Sequence, residues 1–154
     1  MPDVAVSFRK AARDDLAAIV ALLADDDIGQ SREVISEPPD VRYVDAFDAI
    51  NRDENQLLVV AEESNVVVGC LQLTFIPGLS RTGMWRGQIE SVRTARSKRG
   101  SGLGRKMFEY AIEECRARGC GLVQLTSDKG RPDAIRFYEG LGFEDSHEGM
   151  KLKL

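Results

Sequence analysis

The chain has 154 residues, 43% of them hydrophobic and 30% charged, with a mean hydropathy of −0.25. A domain of this length buries enough surface to fold without disulfides or metal, and the composition excludes collagen-like, disordered and membrane-embedded chains. Residues 1–80 carry 6 Lys+Arg against 15 Asp+Glu, while residues 81–154 carry 15 against 10, for a net charge of −4; the acidic balance argues against a general nucleic-acid binder, and the basic second half suits a small polyanion.

Residues 4–8 alternate and predict a first strand. Asp14 or Asp15 starts a helix reaching about Ala24, with Leu16, Ile19, Val20 and Leu23 on one face. Residues 25–29 end it, and residues 30–40, with Pro38 and Pro39, read as irregular. A second helix is predicted over residues 41–50. Residues 57–61 and 66–75 read as strands joined by a turn at Glu63, Ser64 and Asn65, a hairpin. Pro77, Gly78 and Gly83 mark a loop, and residues 88–94 a fourth strand. A helix over residues 102–118 follows, burying Leu103, Met107, Ala111, Ile112 and Cys115. Residues 122–126 form a short apolar strand. Pro132 opens a helix ending near Gly140, since proline is tolerated in a first turn. Phe143 begins a last hairpin that closes over residues 151–154. Hairpins followed by a strand–helix–strand crossover predict one α/β domain over residues 1–154, a three-layer arrangement of a mixed sheet and flanking helices.

Cys70, Cys115 and Cys120 are odd in number and irregularly spaced, so they are no disulfide framework. With a single histidine, His147, and no CxxC pair, no metal site is expected. His147 reads as a surface or turn residue. The N-terminal MPDVAVSFRK has no signal-peptide pattern, and no apolar stretch is long enough to span a bilayer. The expectation is a soluble protein of a reducing cytoplasm, with neither membrane nor nucleic acid as partner.

The informative segment runs from Ile89-Glu90-Ser91-Val92-Arg93 to Arg99-Gly100-Ser101-Gly102-Leu103-Gly104-Arg105-Lys106. Three glycines alternate between a strand and a helix. Glycine lets the backbone curl until successive N–H groups point into one concavity. The helix start adds its unpaired N–H groups and the positive end of its dipole. This makes an anion cradle suited to a pyrophosphate, and six basic residues between Arg93 and Lys106 reinforce it. The P-loop pattern is absent, and the third glycine falls one residue early for a dinucleotide fingerprint. The pattern is R-x-x-G-x-G instead.

That pattern, on a turn from a fourth strand into a helix, resembles the signature of the GNAT superfamily of acetyl-CoA-dependent N-acetyltransferases. Ala134-Ile135-Arg136-Phe137-Tyr138-Glu139-Gly140-Leu141-Gly142-Phe143 is similar to a second motif of that family. The resemblance is specific from Ile89 to Phe143; the N-terminal third matches only in element order. Arg131 departs from it, standing where many members carry an asparagine that holds the pantetheine arm. Arg131 either meets a CoA phosphate or points to solvent.

The resemblance implies a GNAT-like acyltransferase fold with splayed central strands, acetyl-CoA as cosubstrate, and direct transfer to a primary amine of a small molecule or peptide. Arg99, Gly100, Ser101, Gly102, Leu103 and Gly104 would hold the pyrophosphate, chiefly through backbone N–H groups. Arg105 and Lys106 either add charge there or form a solvated face. Val92 and Arg93 fall where the family's fourth strand bulges, so a free N–H at Val92 would bond the thioester carbonyl and, more strongly, the oxyanion. Tyr138 is the candidate general acid for the departing thiolate, against the plainer reading of a packing tyrosine. Glu90 is the candidate general base, against that of an exposed or ion-paired carboxylate. Strand alternation puts Glu90 and Val92 on one face and Ile89 and Ser91 on the other.

The acceptor pocket is expected from residues 30–47 and 76–85. The acidic first half favours a cationic acceptor, and the I-E-x-V spacing, similar to glucosamine-phosphate N-acetyltransferases, leaves an amino sugar open. A homodimer is expected, as in many relatives. Two other readings stand beside this one: a catalytically silent acyl-CoA-binding module, and a nucleotide-binding protein of another fold.

Overall fold

The apolar runs of the central hairpin set the architecture. In the computed structural model, which describes residues 5–154, β1 (Ser7–Lys10), β2 (Gln56–Glu63), β3 (Val66–Ile76), β4 (Arg86–Thr94) and β5 (Leu122–Gln124) form one sheet in that order. The pairings are antiparallel except β4 with β5, which is parallel. That one parallel step needs a crossover helix, and α4 (Leu103–Ala117) supplies it. The remaining helices are α1 (Leu16–Ala24), α2 (Val41–Arg52), α3 (Ser80–Gly83) and α5 (Pro132–Gly140). In α3, a single turn, Arg81 and Thr82 are left-handed.

Alternation along β3 sends Leu71, Leu73 and Phe75 to one face and Cys70 to the other. The first set packs with Ile89 against Leu103, Met107, Phe108, Ala111 and Cys115 of α4. These positions recur every three to four residues, which makes the helix amphipathic. Cys70, Leu58 and Val60 pack on the opposite face against Ile19 and Val20 of α1 and Phe47 of α2. Helices thus flank the sheet on both sides, as the three-layer expectation required.

α2 begins where Asp40 caps it: its carboxylate accepts the Arg42 N–H at 2.9 Å. The first strand starts at Ser7, later than expected, and Val4 lies outside the described residues. The expected closing hairpin is not formed. After α5 the chain turns at Leu141 and Gly142 and continues to Leu154 as irregular chain, with no ladder partner among the described residues. Among the described residues, no helix is long and apolar enough to cross a membrane.

Candidate active site

β5 meets β4 only from Arg86 to Gln88, although β4 continues to Thr94. From residue 89 onward, among the described residues, the outer edge of β4 has no strand beside it, so a wedge opens between the two. A bulge shapes this edge. Cys70 pairs with Arg93 and Gln72 with Glu90, leaving Leu71 opposite both Ser91 and Val92. Ser91 takes a φ of 56°, unusual for a residue other than glycine.

The extra residue reverses the alternation. Ile89 and Val92 both pack on the α4 side, while Glu90 points to the other face and is exposed. The expectation that Glu90 and Val92 share a face is therefore corrected. The bulge also fixes the backbone. The Ala95 N–H donates to Val68 O at 2.8 Å, and the Arg93 N–H is directed at Cys70. Strand alternation from Arg93 then turns the preceding Val92 N–H away from β3, toward the wedge.

Beyond β4 the chain passes a short turn at Arg96–Lys98 and enters the glycine loop. Gly100 and Gly102 have φ of 77° and 85°, which glycine adopts without steric cost. A Cβ at either would meet no atom within 4 Å, so the loop faces open space. Among the described residues, the N–H groups of Gly100, Gly102, Gly104 and Arg105 have no hydrogen-bond partner. They gather at the positive end of α4, an arrangement that suits a pyrophosphate.

The basic side chains around this loop are mostly engaged already. Arg96 pairs with Asp25 at 2.8 Å, and Arg99 reaches the Asp25 carbonyl at 3.1 Å and its carboxylate at 3.9 Å. Lys98 pairs with Glu63, and Arg105 with Glu109 at 3.1 Å. Arg93 Nε lies 3.1 Å from Asp26 but is not aligned to donate to it, so charge attraction makes that contact; its Nη1 donates to Val92 O at 2.9 Å. The Gly29 N–H, opposed by burial and helped by Arg93, holds the Asp26 carboxyl below the ordinary value. Of the six basic residues, only Lys106 has no ion pair among the described residues. The sequence reading missed Asp25, Asp26 and Glu63; the acidic run at the end of α1 was the signal for the two aspartates.

α5 brings Tyr138 beside this region. Its ring packs edge-on against Phe108 at 5.4 Å, Phe137 at 5.6 Å and Phe143 at 6.2 Å. Phe137 lies 4.0 Å from where a Gly104 Cβ would stand, so α5 borders the glycine loop. The half-buried Tyr138 hydroxyl has no hydrogen-bond partner among the described residues. Arg131 precedes α5 and is exposed, without a bond to any carboxylate there.

Residues 30–47 are the expected acceptor wall. Gln30 and Ile35 line an open hollow of about 500 Å³ against Leu22 and Ala18 of α1. His147 is exposed and bonds Ser146. Burial pushes the Cys70 and Cys115 thiols up to about 12, which fits packing and not thiolate chemistry.

Residues 17–143 match the acetyltransferase (GNAT) family. The aminoalkylphosphonate N-acetyltransferase of Salmonella typhimurium is 29% identical over 140 residues, 90% of this chain and 85% of the relative. The L-methionine sulfoximine/L-methionine sulfone acetyltransferase of Pseudomonas paraeruginosa is 30% identical, covering 93% and 83%. Among solved structures, a transcriptional regulator from Bacillus halodurans superposes with a TM-score of 0.94 at 49% identity, covering 97% of this chain and all of that one. A putative acetyltransferase from Agrobacterium tumefaciens gives 0.84 at 26% identity, covering 96% and 99%. The wedge beside β4, the glycine loop and these likenesses agree: the chain belongs to the GNAT family and is an acetyl-CoA-dependent acetyltransferase.

Proposed function

We propose that the enzyme moves the acetyl group of acetyl-CoA directly to a primary amine of a small molecule or peptide, with the cosubstrate in the wedge beside β4. The observation that carries this reading is the continuity of free donors. Strand alternation turns the Val92 N–H toward the wedge, and the N–H groups of Gly100, Gly102, Gly104 and Arg105, at the start of α4, have no partner among the described residues. Arg99, Ser101 and Leu103 complete the pyrophosphate loop. Arg93 positions Val92 by bonding its carbonyl.

The acceptor approaches from the opposite face of the sheet, where Glu90 stands exposed without an ion pair among the described residues. Glu90 takes a proton from the ammonium, directly or through water, and the free amine attacks the thioester carbonyl carbon. The new oxyanion accepts the Val92 N–H. The tetrahedral intermediate collapses as its C=O re-forms and the C–S bond breaks, and Tyr138 gives its proton to the sulfur. The nitrogen loses its second proton, which through water restores the phenol, and Glu90 releases the first proton to solvent. A Tyr138 hydroxyl with no hydrogen-bond partner among the described residues supports that role. A small acceptor agrees with the Salmonella and Pseudomonas relatives, which are named for small amines.

Tyr138→Phe tests the assignment. It should lower kcat by about a hundredfold and leave the Kd for acetyl-CoA unchanged. A variant that turns over normally, or that loses binding in proportion, removes Tyr138 from the chemistry.

The enzyme works as a homodimer in a reducing cytoplasm. Met150, Leu152 and Leu154 are 92%, 87% and 117% exposed at alternate positions of the C-terminal tail, an apolar edge that a second copy would cover. The three cysteines are free thiols, which fits that compartment. Sedimentation equilibrium should give twice the chain mass, and Leu152→Lys should shift it toward the monomer.

A further inference from the structure

The face of the sheet opposite α4 is only half covered. Leu58, Val60 and Cys70 lie beneath α1 and α2. Beyond them the same face becomes polar. Gln72 Nε2 donates to Gln56 Oε1 at 3.0 Å, Thr74 Oγ1 donates to the same oxygen at 3.1 Å, and Gln124 Nε2 donates to Gln88 Oε1 at 2.9 Å. These groups satisfy one another across four strands, so the floor is neutral and held in place.

Two charged residues stand at either end of this floor on β4. A Cβ at Gly87 would fall 2.3 Å from Cys115 Sγ, so Gly87, like Ile89, faces α4. Arg86, Gln88 and Glu90 therefore share the open face. Arg86 and Glu90 are four residues apart, roughly 13 Å along an extended strand. Neither has a hydrogen bond or ion pair among the described residues.

Arg86 differs from every other described arginine. The other two half-buried ones, Arg9 and Arg93, have carboxylate partners, and those without one, such as Arg52, Arg81 and Arg131, are exposed to water. Arg86 alone is half-buried with no partner. A guanidinium stays charged at any physiological pH, and removing it from water without a counter-charge is costly. A bound carboxylate or phosphonate would offset that cost through paired N–H···O bonds.

We propose that Arg86 is the anion anchor of the acceptor site, and that the acceptor is an amine that also carries an anionic group. Its ammonium lies at Glu90, its body crosses Gln88, and its carboxylate or phosphonate meets Arg86. The charge pattern of the chain pointed to a cationic acceptor; Glu90 meets only that end of the molecule, and Arg86 requires a second, negative end. This proposal rests on the acetyltransfer reading and on the assignment of Glu90 to the acceptor side.

The experiment compares matched acceptors: aminobutyrate against aminobutanol, and aminoethylphosphonate against ethanolamine. Steady-state kcat and KM are measured for the full-length wild type, Arg86→Ala and Arg86→Lys, with acetyl-CoA saturating. The wild type should favour the anionic member of at least one pair by about tenfold or more in kcat/KM. The carboxylate and phosphonate arms show which anion the site prefers. Arg86→Ala should erase the preference, through a raised KM for the anionic member of each pair. Arg86→Lys should restore part of it, because a point charge replaces the planar fork. A wild type that acetylates both members of each pair equally, or a preference that survives Arg86→Ala, overturns the proposal alone. A wild type that binds acetyl-CoA but acetylates none of the amines overturns the proposal alone, and one that also binds no acetyl-CoA overturns the acetyltransfer reading with it.

Discussion

Arg93 Nε lies 3.1 Å from Asp26 Oδ2, so the strand after the bulge is tied to the end of α1. Asp25, the neighbouring residue, holds Arg96 and Arg99 on the same side. The acidic end of α1 thus neutralises the basic run that precedes the glycine loop. Binding of a pyrophosphate there depends first on backbone donors, and on these guanidiniums only if they are released.

Removing that restraint has a defined consequence. Asp25→Ala frees Arg96 and Arg99, whose side chains are 65% and 52% exposed. Such exposed pairs contribute less than about 1 kcal/mol to stability, so the thermal midpoint should move little. Affinity for acetyl-CoA should rise at low salt and become more salt-dependent, since exposed charges are screened. Titrations at two ionic strengths read the slope; an unchanged slope means these arginines do not reach the phosphates.

Close packing beneath the wedge is tested at Gly87. The 2.3 Å approach of a Cβ to Cys115 Sγ leaves no room, and the neighbour is held in the core. Gly87→Ala should destabilise by about 1–3 kcal/mol. Cys115→Ala removes the obstructing sulfur, so the double variant should be more stable than the sum of the two single effects. Additive effects in urea denaturation would mean that β4 and α4 do not meet as described.

Acid stability depends on Asp15. Its carboxylate accepts Arg9 at 2.7 and 2.8 Å and the Ala12 N–H at 2.7 Å. Arg9 holds the Asp15 carboxyl below its ordinary value, against the opposing effect of burial. A lowered folded-state pKa contributes stability that is fully present above the unfolded value, about 3.9, and is lost as pH falls through the folded one. Asp15→Asn should cost about 2 kcal/mol at neutral pH, and the gap to wild type should narrow as pH falls below about 4. A gap that stays constant would mean that the Asp15 charge does not hold this corner.

The base assignment makes a kinetic prediction. Glu90→Gln should lower kcat/KM at neutral pH by about a hundredfold. Its rate should then climb with pH as the acceptor amine loses its own proton, while the wild type levels off earlier. Parallel pH profiles for the two proteins would remove Glu90 from proton transfer.

Much of the frame was legible because it is local. The 66–75 run and the α4 stripe declare themselves by period, and the glycines at 100, 102 and 104 mark the loop directly. What stayed hidden depends on distant partners. A bulge at Val92 and Arg93 was expected only from the family resemblance; nothing in Ile89-Glu90-Ser91-Val92 itself marks it, because it arises where Ser91 and Val92 both face Leu71, some twenty residues away. One inserted residue then moved Glu90 to the other face from Val92. The ion pairs of Arg93 and Arg96 with Asp26 and Asp25 bridge some seventy residues. Gly149 to Leu154 alternates as a strand does, but a strand also needs a ladder partner, and the described residues offer none there.

The central claim is that acetyl-CoA sits on the backbone donors between Val92 and Arg105. Calorimetric titration of the wild type with acetyl-CoA, beside Gly102→Glu and Gly104→Glu, tests it most directly. The account predicts saturable binding to the wild type and a loss of more than about tenfold in both variants, each shown to be folded by circular dichroism. A folded wild type that binds no acetyl-CoA, or variants that bind it as well as the wild type does, would contradict it.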